Sequence, residues 1–263
     1  MNRLIRLYPV FIYIFLYFPI IVLIVYSFNS SKYGTSWQGL TLEWYRKLYS
    51  NSLLMASTKN SFVVAALSAS ISTLIGSISA LGLYSYRFKG RKVFSSIVYV
   101  LAISPDIIMG ISLLILFNLI SINLGFYSLL LAHITLNLPF VIIIVISRLK
   151  TFNKNLINAA RDLGAGEWVI FTRIILPLIL PSVISGWLLA FTLSLDDVVI
   201  SFFVTGPNFE VLPLTLFSMA HLGIKSEINA LCTIIFAVTL VSIFTSHFIF
   251  RRKIRKNILR YFF

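Results

Sequence analysis

Hydrophobic and polar positions follow one another in long blocks along this chain, not at the short periods of a soluble protein. Six apolar runs are long enough for an α-helix to cross ~30 Å of hydrocarbon, which takes about 20 residues. The runs cover residues 8–28, 61–84, 93–119, 126–147, 178–204 and 229–250. The pattern predicts an all-α integral membrane protein with six transmembrane helices.

The first run follows Arg3 and Arg6, which is the charge order of a signal peptide. However, it is as long as a full span and lacks a small-residue cleavage site at its end. We therefore expect residues 8–28 to be retained as a transmembrane helix.

Composition agrees with a membrane protein. The chain is 59% hydrophobic and 11% charged, whereas soluble domains are roughly half apolar and a quarter charged. Its formal net charge of +14 does not indicate nucleic-acid binding, because the basic residues lie between the apolar runs. With a cytoplasmic N-terminus, 17 of the 22 lysines and arginines fall on the cytoplasmic side. Both termini are therefore predicted to be cytoplasmic.

Small residues recur every four positions in the second run, at Ser68, Ser72, Gly76 and Ala80. Such a stripe lets a neighbouring membrane helix approach closely. It predicts helix packing and identifies no function.

The polar segment 148–177 is too long for a simple turn. Its residues 155–163 carry apolar side chains at helical spacing, namely Leu156, Ile157, Ala159, Ala160 and Leu163. Gly164 is placed as a left-handed C-cap, Gly166 allows another reversal, and a second amphipathic piece at 167–176 ends at Pro177. The predicted elbow either docks a partner or lies on lipid headgroups through Arg161 and Arg173.

The elbow resembles a known family loop. Ala159-Ala160-Arg161-Asp162-Leu163-Gly164-Ala165, followed by Ile174-Ile175-Leu176-Pro177, is similar to the EAA loop of ABC importer permeases. That pattern is E-A-A, three residues, G, and an apolar run into L-P; here Asn158 stands where the family usually has glutamate. The resemblance implies a type I ABC importer permease (MetI-like) fold. It also implies a coupling helix that docks on a cytoplasmic ATPase through Asn158, Ala159, Ala160, Arg161, Asp162 and Gly164.

Other segments extend the resemblance to permeases of the PotC type, which serve spermidine/putrescine importers. They are Ser27-Phe28-Asn29-Ser30-Ser31, Ser104-Pro105-Asp106-Ile107, Ser147-Arg148-Leu149-Lys150, Leu195-Asp196-Asp197-Val198-Val199 and Phe203-Val204-Thr205-Gly206-Pro207. The likeness implies a non-catalytic polyamine permease in the bacterial inner membrane. A related importer for another small solute stays open.

The same resemblance implies three kinds of partner protein. They are a homologous second permease subunit, two copies of a cytoplasmic ABC ATPase and an extracytoplasmic polyamine-binding protein. ATP with magnesium would bind to the ATPase, and no cofactor is expected in this chain. The sequence has no G-x-x-x-x-G-K-[ST] phosphate loop, as this division of labour requires.

Three carboxylates fall inside predicted spans, namely Asp106, Asp196 and Asp197. Each costs roughly 2.5 to 3.5 kcal/mol at a helix centre, so they are expected to face the bundle interior or a water-filled path. At a rise of 1.5 Å per residue, Asp106 and Asp196 lie at similar depth, about 20 and about 23 Å from the cytoplasmic helix ends. We expect these aspartates, with Glu210 of the last outer loop, to form a cation pathway. The alternative is that the aspartates cap broken helices or pair with a partner permease.

Two other classes of protein fit the sequence less well than an importer permease. A secondary transporter would use the aspartates as a proton or sodium relay, but it predicts inverted repeats, which the two halves do not display. A membrane enzyme is poorly supported, because no nucleophile and base stand together near either membrane face. His133, His221 and His247 lack the spacing of metal ligands and are predicted to be structural.

Overall fold

The computed structural model describes residues 3–32, 36–151, 154–221 and 226–241. These residues form helices and connecting segments, with a single isolated β-bridge between Asn29 and Leu40. The helices are α1 Arg3–Ser27, α2 Glu43–Ser50, α3 Ser52–Ser85, α4 Arg91–Ile103, α5 Asp106–Leu119, α6 Phe126–Lys150, α7 Lys154–Asp162, α8 Glu167–Ile170, α9 Leu176–Asp196, α10 Val199–Val204, α11 Leu212–His221 and α12 Ser226–Val241. The all-α fold class is confirmed.

The chain divides into two compact units. One comprises Met1–Met55 with Ser218–Phe263, and the other is Ala56–Phe217. In the second unit, α6 packs against α9, α4 and α10. Its C-terminal half, from Val141 to Leu149, lies in one buried apolar cluster and its N-terminal half, from Leu129 to Leu136, in another. The central position of α6 explains why polar side chains on it are buried.

The small-residue stripe of α3 is buried, as predicted. Ser68, Ser72 and Ala80 have no exposed surface, and Gly76 lies against α6. A Cβ at Gly76 would come within 2.8 Å of Val141 Cγ1, so only glycine permits this approach.

The predicted span 93–119 is two helices and not one. α4 and α5 meet at an angle of 112° across Ser104 and Pro105, both of which have extended backbone. Proline disfavours helical geometry at the residue before it and cannot donate a backbone hydrogen bond, so α4 ends there. Asp106 therefore becomes the first residue of a new helix.

The predicted span 178–204 is also interrupted. α9 ends at Asp196, Asp197 is extended with φ −66° and ψ 120°, and α10 begins at Val199. At its other end the helix begins earlier than predicted, because helical residues run without a break from Glu167 to Asp196. Pro177 does not end this helix: it lies in the first turn of α9, directly after a π-helical turn at Phe171–Ile175. The wider turn changes the hydrogen-bond register where proline lacks its N–H.

Among the described residues, four helices are long and apolar enough to span a membrane: Tyr8–Ser27, Ser52–Ser85, Phe126–Lys150 and Glu167–Asp196. The bent α4 and α5 pair makes five if it counts as one span. The sixth predicted span, 229–250, overlaps the shorter apolar helix α12, and its residues 242–250 lie outside the described residues.

In the first unit, Asn29 organises the segment between α1 and α2. Its fully buried side chain accepts hydrogen bonds from the backbone N–H groups of Ser31 and Gln38, at 3.2 and 2.9 Å, and donates to the Ser36 carbonyl at 2.7 Å. The Trp44 indole donates to the Asn29 carbonyl at 2.6 Å. Aromatic residues recur between residues 37 and 49, and the last part of this segment is helix α2.

Candidate functional site

Asp196 and Asp197 are neighbours in sequence but have different surroundings. Asp196 is the last residue of α9 and is exposed, whereas Asp197 is 9% exposed. The break between α9 and α10 begins between them, because α9 ends at Asp196 and the backbone of Asp197 is extended. The two carboxylates therefore cannot be assigned one common role.

The carboxylate of Asp197 caps α10. It accepts hydrogen bonds from the backbone N–H of Ile200 at 3.2 Å and of Ser201 at 2.7 Å, and from the Ser201 hydroxyl at 2.9 Å. Its Oδ2 also lies 3.4 Å from Nε2 of His133 on α6. These contacts have the form of a helix N-cap. They favour, for this residue, the alternative in which an aspartate caps a broken helix.

Asp106 and Asp196 form an exposed acidic pair. Asp106 lies at the start of α5, where the positive end of the helix dipole favours a carboxylate. α5 packs against α10, and Gly110, four residues after Asp106, lies beside Ile200, four residues after Asp196. The breaks in the two predicted spans therefore bring the two residues into one region of the Ala56–Phe217 unit. Within the described part of the chain, neither has a lysine, arginine or histidine at ion-pair distance. The pair can therefore attract a cation from outside the chain.

Glu210 precedes α11 and is exposed. Its carboxylate accepts a hydrogen bond from the Thr215 hydroxyl at 3.3 Å, and its carbonyl accepts one from the Asn60 amide at 2.9 Å. These contacts attach the segment before α11 to α3. They are compatible with either a structural or a solute-facing role for the carboxylate.

The elbow between α6 and α9 is built around Gly164. Its φ is +79°, the Gly164 N–H donates to the Arg161 carbonyl at 2.8 Å, and the Ala165 N–H donates to the Ala160 carbonyl at 3.0 Å. This pair of bonds is the Schellman motif that ends a helix at a glycine, and it confirms the predicted C-cap. Gly166 makes no second reversal, because it has φ −68° and ψ 159° and is the extended N-cap of α8.

An ion pair joins the two arms of the elbow. Arg161 donates from Nε and Nη2 to one oxygen of Glu167, at 3.1 and 2.8 Å. The sequence reasoning missed Glu167, although opposite charges on either side of two glycines were a usable signal. Asn158, Ala159 and Asp162 are exposed on α7, Ala160 is partly buried, and Leu163 is 89% exposed. The elbow therefore presents a surface on which a partner or a headgroup layer can lie.

Asn137 and Ser194, two buried polar residues near Asp197, were also missed, whereas His133 was predicted to be structural. His133 and Asn137 lie four residues apart on α6, and Ser194 is near the end of α9; all three are buried. Polar groups at this spacing in an apolar helix point toward the protein interior and were the available signal. Among the described residues, no group of three or more His, Cys, Asp or Glu side chains is arranged to hold a metal ion.

Solved structures of low sequence similarity share this fold. One is a bacterial ABC transporter involved in the import of the acidic polysaccharide alginate, with TM-score 0.71, 19% identity and 92% of each chain covered. Another is the MetNI methionine ABC transporter, with TM-score 0.63, 17% identity, and coverage of 74% of this chain and 92% of that one. The fold is that of a MetI-like ABC importer permease.

Sequence comparisons extend this assignment. Residues 72–256 match the family described as "Binding-protein-dependent transport system inner membrane component". The spermidine/putrescine transport system permease protein PotC of Escherichia coli K12 is 52% identical over 246 residues, or 94% of this chain and 93% of that one. The putrescine transport system permease protein PotI of the same organism is 38% identical, over 93% and 89% of the two chains.

The chain belongs to the family of binding-protein-dependent transport system inner membrane components. It is the membrane permease subunit of an ATP-driven ABC importer and not an enzyme, since ATP hydrolysis belongs to a separate subunit in this family. Membership implies two other kinds of component, an ATPase and a periplasmic binding protein.

Proposed function

We propose that this chain carries polyamines, namely spermidine and putrescine, across the bacterial inner membrane. The observation that carries the proposal is the exposed pair of Asp106 and Asp196, in a chain 52% identical to a spermidine/putrescine permease. Polyamines are flexible polycations, and two carboxylates without basic partners provide complementary charge. In this assignment Asp106 and Asp196 lie on the substrate pathway and Glu210 is a further pathway residue, whereas Asp197, which the sequence had placed in the same set, caps α10.

The proposed assembly has four kinds of component. This chain, as a single transmembrane permease domain, pairs with a homologous second permease subunit, and two copies of a cytoplasmic ABC ATPase drive the pair. An extracytoplasmic polyamine-binding protein delivers the substrate. ATP with magnesium binds in the ATPase subunits, so this chain itself needs no cofactor. The basic residues support the orientation with both termini in the cytoplasm, because 17 of 22 then lie inside.

The elbow is the proposed contact with the ATPase. The Schellman turn at Gly164 and the Arg161–Glu167 pair fix the angle between α7 and α8, which follows it. A fixed elbow can transmit a push from a docked partner, whereas a helix lying on headgroups needs no defined angle. Asn158 through Asp162, which lie on α7, supply the docking surface.

Uptake by the complete complex tests the proposal. The full chain is reconstituted with the second permease, the ATPase and the binding protein, and uptake of radiolabelled putrescine is measured with ATP inside the vesicles. Asp106→Asn and Asp196→Asn should each reduce uptake about tenfold, as expected for the loss of a charge-assisted contact. Glu43→Gln is the matched control, because Glu43 is exposed on α2 and pairs with Lys47.

The substrate class is tested by competition. Unlabelled spermidine should compete with labelled putrescine, and butanediol, the uncharged analogue of putrescine, should not. If butanediol competed equally, charge recognition would be excluded. If both asparagine variants assembled normally and transported at the rate of the parent, Asp106 and Asp196 would not lie on the pathway. Stimulation of ATP hydrolysis by a different solute would instead identify an importer for that solute.

A further inference from the structure

A buried polar cluster joins four helices beside the acidic pair. It comprises Ser68 of α3, His133 and Asn137 of α6, Ser194 of α9, and Asp197 with Ser201 at the start of α10. All six residues belong to the Ala56–Phe217 unit. Their exposed fractions lie between 0% and 9%, so this cluster is protein interior. A polar cluster in an apolar membrane protein is costly unless its members satisfy one another.

His133 is the centre of the cluster. Its Nδ1 is 2.6 Å from the Ser194 hydroxyl, and its Nε2 is 3.1 Å from the Ser201 hydroxyl and 3.4 Å from Asp197 Oδ2. Ser194 lies on α9 before the break, Asp197 lies in the break, and Ser201 lies on α10 after it. One imidazole ring on α6 therefore contacts both sides of the break.

The remaining contacts support the same arrangement. Ser68 donates to Ser194 Oγ at 3.1 Å, so α3 supports the residue that faces Nδ1. Ser128, one turn and a half before His133, donates to the Val204 carbonyl at 2.8 Å and attaches the far end of α10 to α6. The geometry of the break is thus set from α6 and α3, and the exposed Asp196 is the last residue of α9 before it.

We propose that His133 is a positioning residue for transport. By contacting Ser194 on α9 and both Asp197 and Ser201 on the α10 side, it sets the direction in which the Asp196 side chain faces Asp106. His133 does not touch substrate; it acts through the backbone of residues 194–201. The inference rests on the proposed function, in which Asp196 lies on the polyamine pathway.

Three substitutions separate the contacts of the ring. His133→Gln keeps a polar nitrogen near the Nε2 position, and His133→Asn keeps one near the Nδ1 position. His133→Leu fills similar space without either. We expect uptake to fall about tenfold in the leucine variant, the loss that follows from a hydrogen bond to a charged group, and to return close to the parent in the glutamine variant. Asparagine should rescue less, because it leaves Asp197 without the α6 contact.

The direction in which the side chain at position 196 points can be measured without polyamine transport. In a Cys232→Ser background, Asp196→Cys gives a single thiol, and its modification rate by a cationic methanethiosulfonate is measured in the assembled complex. Adding His133→Leu should change the rate about tenfold, and adding His133→Gln should restore it. Thr135→Val is the matched control, because Thr135 lies on the same helix and its hydroxyl bonds only locally, to the Leu131 carbonyl at 2.9 Å.

The outcomes distinguish the two proposals. An unchanged modification rate in the leucine variant overturns the positioning role, whatever uptake does. An equal loss of uptake in the leucine, glutamine and asparagine variants also overturns it, because the ring would then act through packing alone. If the modification rate responds as expected while Asp196→Asn transports normally, the proposed pathway fails, and with it the role of His133 in transport.

Discussion

Nε2 of His133 lies 3.4 Å from Oδ2 of Asp197, in the buried interior of the Ala56–Phe217 unit. This contact distinguishes the surroundings of Asp197 from those of Asp196, which is adjacent in sequence but exposed. One aspartate caps a helix and contacts a histidine, and the other is available to solvent. The pair of neighbouring acids thus combines a buried capping group and an exposed group at one helix break.

The elbow between α6 and α9 depends on a backbone conformation that glycine favours. Gly164 has φ +79°, and an added Cβ would meet no atom within 4 Å, so substitution acts through backbone strain alone. Gly164→Ala should cost about 1 to 2 kcal/mol at the elbow. Co-purification with the ATPase and stimulated ATP hydrolysis should both decrease.

Gly166→Ala is the control for this prediction. Gly166 has φ −68° and open space around it, so alanine should leave docking unchanged. Gly164→Asn should be intermediate, because asparagine tolerates the left-handed region better than alanine. If Gly164→Ala and Gly166→Ala docked equally well, the shape of the elbow would not matter for ATPase binding.

The Arg161–Glu167 ion pair should influence coupling more than stability. Both side chains are more than half exposed, so the pair contributes at most about 1 kcal/mol to folding. Arg161→Glu should lower solute-stimulated ATP hydrolysis while the thermal midpoint of the permease stays nearly the same. The exchange Arg161→Glu with Glu167→Arg should restore part of the activity. If the double variant is no better than the single one, the two side chains act separately.

Gly206 allows two segments of backbone to lie close together, because its own backbone passes next to the carbonyl of Leu124. A Cβ there would overlap the carbonyl of Leu124, in the turn before α6, although the φ of Gly206 is outside the left-handed region. Gly206→Ala should therefore destabilise the permease by about 1 to 3 kcal/mol through overpacking. The heat-induced loss of monodisperse protein in size-exclusion chromatography provides the measurement.

Gly82→Ala is the matched control for this substitution. Gly82 lies inside α3 and has no neighbour within 4 Å, so alanine should stabilise the helix by about 0.5 to 1 kcal/mol. Opposite signs at the two glycines are the expected result. Equal thermal shifts would show that the contact with Leu124 relaxes without cost.

Asn29 should be important for the segment between α1 and α2. Asn29→Ala leaves the backbone N–H groups of Ser31 and Gln38 without their acceptor, at a cost of about 1 to 3 kcal/mol if they stay buried. The same heating assay should show a lower midpoint. Asn123→Ala is the control, since Asn123 is exposed in the turn before α6. A midpoint unchanged by Asn29→Ala would show that water replaces the lost acceptor.

The sequence by itself determined the class of the protein and the position of its elbow. Long apolar runs allow few structures other than spanning helices, because lipid cannot satisfy exposed backbone groups. Gly164 was identifiable as a C-cap because the requirement is local, depending only on the end of one amphipathic helix. The acidic residues of the predicted spans were also identifiable, since carboxylates are rare in apolar surroundings.

Only the tertiary structure decided what each carboxylate does. Asp196 and Asp197 have the same side chain and adjacent positions. Only the extended backbone at Asp197 and its contact with His133 of α6 distinguish them. His133 and Asp197 are far apart in sequence, so no spacing rule relates them. Their contact exists because α6 packs against both α9 and α10, and the sequence pattern of any single helix carries no record of that packing.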